Sequence, residues 1–515
     1  MNRQRVLCAA MAVLLTVAAA VRADVALPGI FADNMVVQRD AKLTVWGTAA
    51  AGEQIQVAFA KQTAKATTDA EGCWKLTLDP VPAGGPHTMT VTGKNTIELK
   101  NILVGEVWLC SGQSNMAMTV GGVLNAQQEI AAAELPKIRH FRVAPAPTPE
   151  PQANCQGAWT VCSPATARGF SATAFFFARA LHKHLGVPIG LINASIGGTP
   201  IEAWTPREAL EAQPALKPLL EPWDEKAKAF DPEKAKKNHE TQLAAWKEAV
   251  AKVRAAGKRL PRRPRLQDPR RSSQAPAALY NGMIAPIAPF AIRGAIWYQG
   301  ERNCRFGTAY LYRTMLPVMI RAWRLRWGQG DFPFLYVQLP NWQGHNPAVP
   351  DWAVMRESML LTLATPKTGM AVTIDVGDPK NIHPKNKQAV GQRLALAARA
   401  VAYGETLVWS GPLYESMKVE GGKVRIRFRH VGEGLAARGG PLQGFTVAGK
   451  DRKFVPATAA IDGETVVVSS AQVAAPVAVR YAWANNPVCN LANKAGLPAS
   501  PFRTDAWPVP GQPEK

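Results

Sequence analysis

The stretch from Val104 to Met116 reads VGEVWLCSGQSNM and decides the fold class. Its apolar first half, residues 104–109, predicts a buried strand, and Gly112 then permits a sharp corner. Ser114 follows the corner where the pattern predicts a helix, which would place its hydroxyl at the carboxyl edge of a sheet and the positive end of a helix dipole. A nucleophilic serine needs such a place, because its transition state and the following oxyanion carry negative charge. Serine is also a favoured N-cap residue, so this stretch alone leaves both interpretations open.

Strands and helices are predicted to alternate through the middle of the chain. The predicted strands are 104–109, 189–192, 292–298, 334–339 and 370–375, and the predicted helices are 171–185, 308–327 and 384–404. This alternation predicts an α/β fold with a parallel sheet that is covered by helices on both faces. Ligands of such sheets bind beyond the carboxyl ends of the strands, so the residues that follow each strand form the candidate site.

The two ends of the chain show a different pattern. Residues 24–100 and 406–515 alternate apolar and polar side chains in short runs between glycine and proline, which predicts antiparallel β-sandwich domains. Residues 101–405 form the predicted α/β domain between them. Within it, residues 206–275 are rich in lysine, glutamate and alanine and predict an exposed helical insertion followed by a basic loop.

The composition bears on location and partners. Arg3 and Arg5 precede an apolar run, residues 6–21, that leads into small residues, which predicts a signal peptide over residues 1–23 and a periplasmic or secreted protein. A membrane anchor is the alternative for this segment, and no internal run is long enough to span a bilayer. Part of the formal net charge of +22 lies in the basic loop, where prolines favour a solvated segment and argue against a nucleic-acid partner.

The cysteines predict one disulfide and no metal site. Cys8 is the one of the seven cysteines that leaves with the predicted signal peptide, so an even number remains for an oxidising compartment. Cys155 and Cys162 are the predicted pair, because they close a short loop. The cysteine spacing does not match a zinc site, so no metal is expected.

Glycines and polar residues follow four of the predicted strands. Ser114 follows the first strand, Gly197 and Gly198 the second, Gln299, Glu301 and Asn303 the third, and His383 the last. Glycines let the backbone offer N–H groups to a ligand, amides are further oxyanion donors, and a carboxylate orients a histidine. Histidine is the usual general base near neutral pH. Each residue taken singly fits an ordinary turn or loop, whereas together they predict acyl transfer by a nucleophilic serine.

Several motifs resemble those of the sialate O-acetylesterase group of carbohydrate esterases, which are SGNH-type hydrolases. They lie at residues 27–28, 33–40, 111–116, 279–284, 297–301, 382–388 and 496–505, and the insertion is the part that resembles the family least. The resemblance implies an SGNH (flavodoxin-like) three-layer hydrolase core with flanking β-sandwich domains. It also implies that no metal or cofactor takes part.

The resemblance assigns roles to the candidate residues. Ser114 would be the nucleophile and His383 the general base. The oxyanion donors would be the Ser114 N–H, the N–H of Gly197 or Gly198, and a side-chain amide of Gln299 or Asn303.

The third member of the catalytic triad is less defined by the resemblance. The wider superfamily often carries aspartate three residues before the histidine, and this chain has Lys380 there. Related acetylesterases point to Glu301 for this role. Asp378 or a backbone carbonyl are the alternatives.

The substrate implied by the resemblance is an acetylated sugar or glycan. The family name favours sialic acids, and the basic charge agrees with an anionic sugar. The alternatives are acetylxylan or another polysaccharide, a lipid ester, or an inactive protein that only binds carbohydrate. The presence of both Ser114 and His383 argues against the inactive protein.

Overall fold

A computed structural model describes residues 24–255, 260–304, 307–344, 346 and 348–513 of the chain. The predicted signal peptide, residues 1–23, lies outside this part. Within the described residues, none of the helices is both long and apolar enough to cross a membrane.

Short strands in antiparallel pairs form most of the region before the central sheet. They are β1 (Val36–Gln38), β2 (Leu43–Thr48), β3 (Gln54–Phe59), β4 (Gln62–Thr67), β5 (Cys73–Leu78) and β6 (Gly84–Thr92). Burial alternates along β3 and β5, as the period-two pattern predicts. The next strand, β7 (Thr96–Gly112), pairs with β6 and continues into the central sheet without a break at the predicted boundary near residue 100. The N-terminal strands therefore share one hydrophobic core with the central sheet.

The central sheet confirms that the predicted strands are parallel. Its further strands are β8 (Ile138–Arg142), β9 (Trp159–Val161), β10 (Ile189–Ser195), β11 (Gly294–Tyr298), β12 (Phe334–Val337) and β13 (Thr368–Ala371). The spatial order is β13-β12-β11-β7-β10-β8-β9, and only β9 runs antiparallel to its neighbour along this path. β8 was not predicted, because Arg139 and His140 interrupt its apolar pattern. Both are buried, and the His140 ring stacks on Phe170 with 4.7 Å between centroids.

The three predicted helices overlap observed ones, and two of them, 171–185 and 308–327, end where the structure ends them. They are α1 (Ser114–Ala117), α2 (Ala126–Ala131), α3 (Ala172–Leu185), α4 (Arg207–Glu211), α5 (Lys217–Lys228), α6 (Pro232–Ala255), α7 (Tyr312–Trp327), α8 (Asp351–Leu361) and α9 (Lys387–Val401). α9 begins after Pro384, because the Asn386 side chain caps it by accepting from the Ala389 N–H. α1 is a single turn, so the helix dipole predicted to act on Ser114 is small.

The predicted insertion forms exposed helices. Along α6, residues 232–254 are exposed or half-buried, in agreement with their many lysine and glutamate side chains. The Trp246 indole N–H donates to the Pro261 carbonyl, which holds the following loop against this helix.

The C-terminal region forms further antiparallel sheets. Its strands are β14 (Leu413–Glu420), β15 (Lys423–Arg429), β16 (Leu435–Ala437), β17 (Phe445–Ala448), β18 (Val455–Pro456), β19 (Thr458–Asp462), β20 (Thr465–Ser469), β21 (Ala478–Tyr481), β22 (Leu491–Asn493) and β23 (Phe502–Arg503). They enclose a second hydrophobic cluster that includes Phe428, Tyr481 and Phe502. The whole is a mixed α/β protein with one large mixed sheet and additional antiparallel sheets.

The predicted disulfide between Cys155 and Cys162 is wrong in this structure. Both thiols are free and buried. β9 lies between the two residues, and the Cys162 thiol donates to the Ala133 carbonyl at 3.4 Å. The Cys155 carbonyl lies against Gly29 of the N-terminal region.

Candidate active site

The site lies where three neighbouring parallel strands end. Gly112 at the end of β7 pairs with Ser195 of β10 on one side and with Tyr298 of β11 on the other. A Cβ at Gly112 would lie 2.2 Å from the Tyr298 carbonyl oxygen, and the backbone φ there is 135°. Only glycine fits such a corner without strain. The corner turns the chain so that Ser114 stands at the shared edge of the sheet.

Ser114 and His383 meet at this edge although 269 positions separate them in the sequence. The distance from His383 Nε2 to Ser114 Oγ is 2.8 Å, and both side chains are half-buried. That distance suits transfer of the hydroxyl proton to the imidazole. Burial and, to a smaller degree, Lys387 lower the pKa of His383 below its usual 6.5. The imidazole is therefore neutral at pH 7 and able to accept a proton.

Two backbone N–H groups beside Ser114 are free to bind an oxyanion. Among the described residues, neither the Ser114 N–H nor the Gly197 N–H has a hydrogen-bond acceptor. A Cβ at Gly197 would lie 3.3 Å from the Ser114 Cβ, so these two residues are in contact. Gly198 follows with a φ of 72°, and both glycines are exposed. The arrangement places two N–H donors next to the Ser114 hydroxyl.

Gln299 and Asn303 do not fit the predicted role of oxyanion donors. Gln299 is fully buried, and its side-chain N–H₂ lies within hydrogen-bond distance of Asn303 Oδ1 at 2.7 Å and of the Thr199 carbonyl at 3.1 Å. The Asn303 N–H₂ donates to Glu202 at 2.8 Å, and its oxygen accepts from the Ile201 N–H at 3.0 Å. Both amides instead hold the loop after β10, which carries Gly197 and Gly198.

Glu301 lies near Ser114 and His383 without touching the histidine. Its Oε1 accepts a hydrogen bond from the Asn115 side chain, at 2.5 Å, and its Oε2 is buried without a partner. Asp378 accepts from the Lys380 N–H instead of from the imidazole. Within the described part of the chain, Ser114 is the one side chain hydrogen-bonded to the His383 ring. No third member therefore acts on the imidazole through a direct hydrogen bond in this arrangement.

Sequence reasoning missed two buried residues behind the pair, Asn115 and Lys387. The Asn115 N–H₂ also donates to the carbonyl of Ile382 at 3.0 Å, directly before His383. Lys387 Nζ donates to Asn115 Oδ1 at 2.6 Å. Both residues lie inside the motifs at 111–116 and 382–388, and one physical signal was available. A lysine in the first turn of a helix opposes the helix dipole and calls for a specific reason.

Across the residues with described positions, His, Cys, Asp and Glu side chains do not form a group of three or more with the geometry to hold a metal ion.

Comparison with known proteins agrees with this geometry. Residues 104–228 and 270–400 match the family described as carbohydrate esterase, sialic acid-specific acetylesterase. The chain is 30% identical over 534 residues to a sialate O-acetylesterase of Rattus norvegicus, covering 92% of this chain and 93% of that protein. It is 28% identical over 522 residues to the Homo sapiens sialate O-acetylesterase, covering 91% and 90% respectively.

A solved structure is similar over nearly the whole chain. It is the crystal structure of a carbohydrate acetylesterase from Xanthomonas citri, which has 40% sequence identity and a TM-score of 0.81. The similarity covers 94% of this chain and 100% of that one. The family match leaves out residues 229–269, which fall within the predicted insertion. With its serine–histidine pair at the edge of the parallel sheet, this chain belongs to the sialic acid-specific acetylesterase family of carbohydrate esterases.

Proposed function

We propose that this chain is a serine esterase with an SGNH-type core that removes O-acetyl groups from sugars. The observation that carries the proposal is the 2.8 Å contact between His383 Nε2 and Ser114 Oγ. It lies beside two unpaired backbone N–H groups, at Ser114 and Gly197, among the described residues. Family membership supplies the substrate class, since the curated relatives are named sialate O-acetylesterases.

The proposed reaction proceeds in two proton-transfer cycles. His383 takes the proton from the Ser114 hydroxyl as Oγ attacks the carbonyl carbon of the acetyl ester. The N–H groups of Ser114 and Gly197 stabilise the tetrahedral oxyanion. When the intermediate collapses, His383 returns the proton to the sugar oxygen that leaves, and an acetyl-serine remains. Water then attacks this ester with His383 again as base, and acetate and free Ser114 are formed.

Among sugars, we propose O-acetylated sialic acid as the substrate. The names of the curated relatives and the net charge of +22 support a sugar acid. The broader description of the Xanthomonas citri relative, a carbohydrate acetylesterase, supports acetylated polysaccharides such as acetylxylan as the alternative.

We also propose a periplasmic or secreted location, on the basis of the predicted signal peptide at residues 1–23. The catalytic unit would be residues 101–405, flanked by the β-rich segments 24–100 and 406–515. Strand β7 runs without a break from segment 24–100 into residues 101–405 and so joins these two parts.

The test is acetate release by the purified protein from O-acetylated sialic acid and from acetylxylan. We expect Ser114→Ala to abolish release from both, because the nucleophile is lost. Ser195→Ala is the matched control, since this serine lies at the same edge but donates to Asn193 Oδ1, and it should stay active. Release that survives Ser114→Ala overturns the nucleophile assignment. Hydrolysis of long-chain esters in preference to acetyl esters would instead favour a lipase.

A further inference from the structure

A chain of buried polar groups lies behind Ser114 and His383. Lys387, Asn115 and Glu301 are each at most 3% exposed. Lys387 Nζ donates to Asn115 Oδ1 at 2.6 Å, and Asn115 Nδ2 donates to Glu301 Oε1 at 2.5 Å. The amide thus has a cationic donor on its oxygen side and a carboxylate on its nitrogen side. Within the described residues, Lys387 and Glu301 are linked through the Asn115 amide and not by a direct ion pair.

The same groups are attached to both halves of the catalytic pair. Asn115 is the residue after Ser114, and its side chain donates to the carbonyl of Ile382, the residue before His383. Lys387 donates to the carbonyl of Pro384, the residue after His383, at 2.7 Å. The loop that carries the imidazole is therefore hydrogen-bonded on both sides of His383 to this one buried chain.

The groups packed around Lys387 come from several elements. Tyr298 of β11 places its ring 5.2 Å from Nζ, and Thr173 of α3 binds the Asn115 backbone carbonyl at 3.1 Å. Glu301 is the acidic group that acts on Lys387, and Lys387 in turn is the cationic group that acts on His383. Burying a lysine is costly unless its ammonium group is paired and hydrogen-bonded, since desolvation favours the neutral form. Burial lowers the pKa of Lys387 to about 7 and raises that of Glu301.

We propose that Lys387 is a positioning residue that, through Asn115 and with Glu301, holds the His383 loop against the Ser114 turn. The linked amide, ammonium and carboxylate replace the direct hydrogen bond that a third triad member makes to the imidazole in other serine hydrolases. The ammonium group also disfavours protonation of His383, which keeps the base available at mildly acidic pH. This inference rests on the proposed function for its kinetic readout alone.

The test compares three variants: Lys387→Met, Glu301→Gln, and the two combined. Each should lower kcat for p-nitrophenyl acetate about 10- to 100-fold with KM nearly unchanged, because a small misplacement of reacting groups costs that much. The combined variant should lose about as much as either single variant, and clearly less than the product of the two losses, since the residues act as a unit. In Lys387→Met the acidic limb of the kcat/KM profile should move to higher pH.

The combined variant guards against a trivial loss of folding. A single change leaves one unpaired buried charge, whereas the combined change leaves none, so the combined variant should melt close to the wild type. A folded combined variant that regains wild-type kcat shows a structural role only and overturns the proposal. Lys385→Met removes an exposed charge from the same loop and should change neither kcat nor the acidic limb.

A reaction that needs no sugar substrate tests this proposal separately from the proposed function. Ser114 labelling by diisopropyl fluorophosphate reports the reactivity of the serine–histidine pair without a sugar. Wild-type protein that is neither labelled nor active contradicts the proposed function. Labelling that is equally fast in wild type and Lys387→Met, with the same pH dependence, contradicts only the role of Lys387.

Discussion

The protonation of His383 sets the pH range of the proposed reaction. The imidazole must be neutral to take the serine proton, so kcat/KM falls as the pH falls through the pKa of His383. Burial and the nearby Lys387 lower this pKa below 6.5. We therefore expect the acidic limb of kcat/KM for an acetyl ester to lie below pH 6.5, measured between pH 4 and 9. Activity that returns after readjustment to pH 7 excludes irreversible unfolding as the cause, and an unchanged far-UV circular dichroism spectrum at the low pH excludes reversible unfolding. A limb above pH 6.5 contradicts the assigned environment.

Gly197 lies against Ser114 with little space between them. Its N–H is unpaired among the described residues, and a Cβ there would lie 3.3 Å from the Ser114 Cβ. Gly197→Ala keeps the N–H but displaces one of the two groups, so we expect kcat/KM to fall about 10- to 100-fold. The melting temperature should change little, because the turn is exposed. Gly169→Ala is the control, as a Cβ there meets open space. Equal activity of both variants would argue against an oxyanion role for this turn.

At the residue scale, the sequence predicted which residues lie at the site better than it predicted what their side chains contact. Ser114 and His383 were predicted from their places after strands, and the structure brings them into contact. The amides of Gln299 and Asn303 were predicted to face the substrate, yet both bond inward to the loop after β10. Residue type tells what a side chain can donate, whereas its direction depends on neighbours from other strands.

The end of β7 is the element on which the site depends most. Gly112 lies between β10 and β11, and a Cβ there would lie 2.2 Å from the Tyr298 carbonyl oxygen. We expect Gly112→Ala to lower the free energy of unfolding by about 3 kcal/mol or more, because it adds a clash to a strained φ. Denaturant unfolding measures the change, and acetyl ester hydrolysis should fall with it. Gly84→Ala, in β6 and facing open space, should be nearly neutral. A stable, active Gly112→Ala variant contradicts this view of the corner.

At the element scale, apolar runs in the sequence located the strands, and polar residues inside a buried strand limited this prediction. The predicted strands at 104–109, 189–192 and 334–339 all overlap observed strands. β8 was missed because its buried Arg139 and His140 look solvent-exposed in sequence. Arg139 is accommodated by carbonyl groups such as that of Pro136, which a local pattern cannot reveal.

Across the whole molecule, Arg356 joins the central α/β region to the C-terminal strands. This fully buried guanidinium donates to the carbonyls of Leu339 and Pro340 on one side and of Ala484 and Asn485 on the other. The two hydrophobic clusters are therefore expected to unfold together rather than as separate units.

Replacing that link tests the coupling. Arg356→Met keeps much of the volume but leaves several buried carbonyls without donors, so we expect a loss of about 3 kcal/mol or more in the free energy of unfolding. Chemical denaturation followed by tryptophan fluorescence measures it, with Arg321→Met, an exposed arginine of α7, as the neutral control. An Arg356→Met protein as stable as the wild type shows that the C-terminal region is held by other contacts.

The sequence by itself determined the alternation of strands and helices and the glycine corner before Ser114. It also determined which serine and which histidine are the candidates for the site. These depend on local periodicity and on residue chemistry, which are readable along the chain. Only the tertiary structure decided that Ser114 and His383 lie 2.8 Å apart across 269 positions, and that Asn115 lies between Glu301 and Lys387. Those contacts depend on the spatial order of the strands and on which buried groups need partners, and neither is encoded in any one segment.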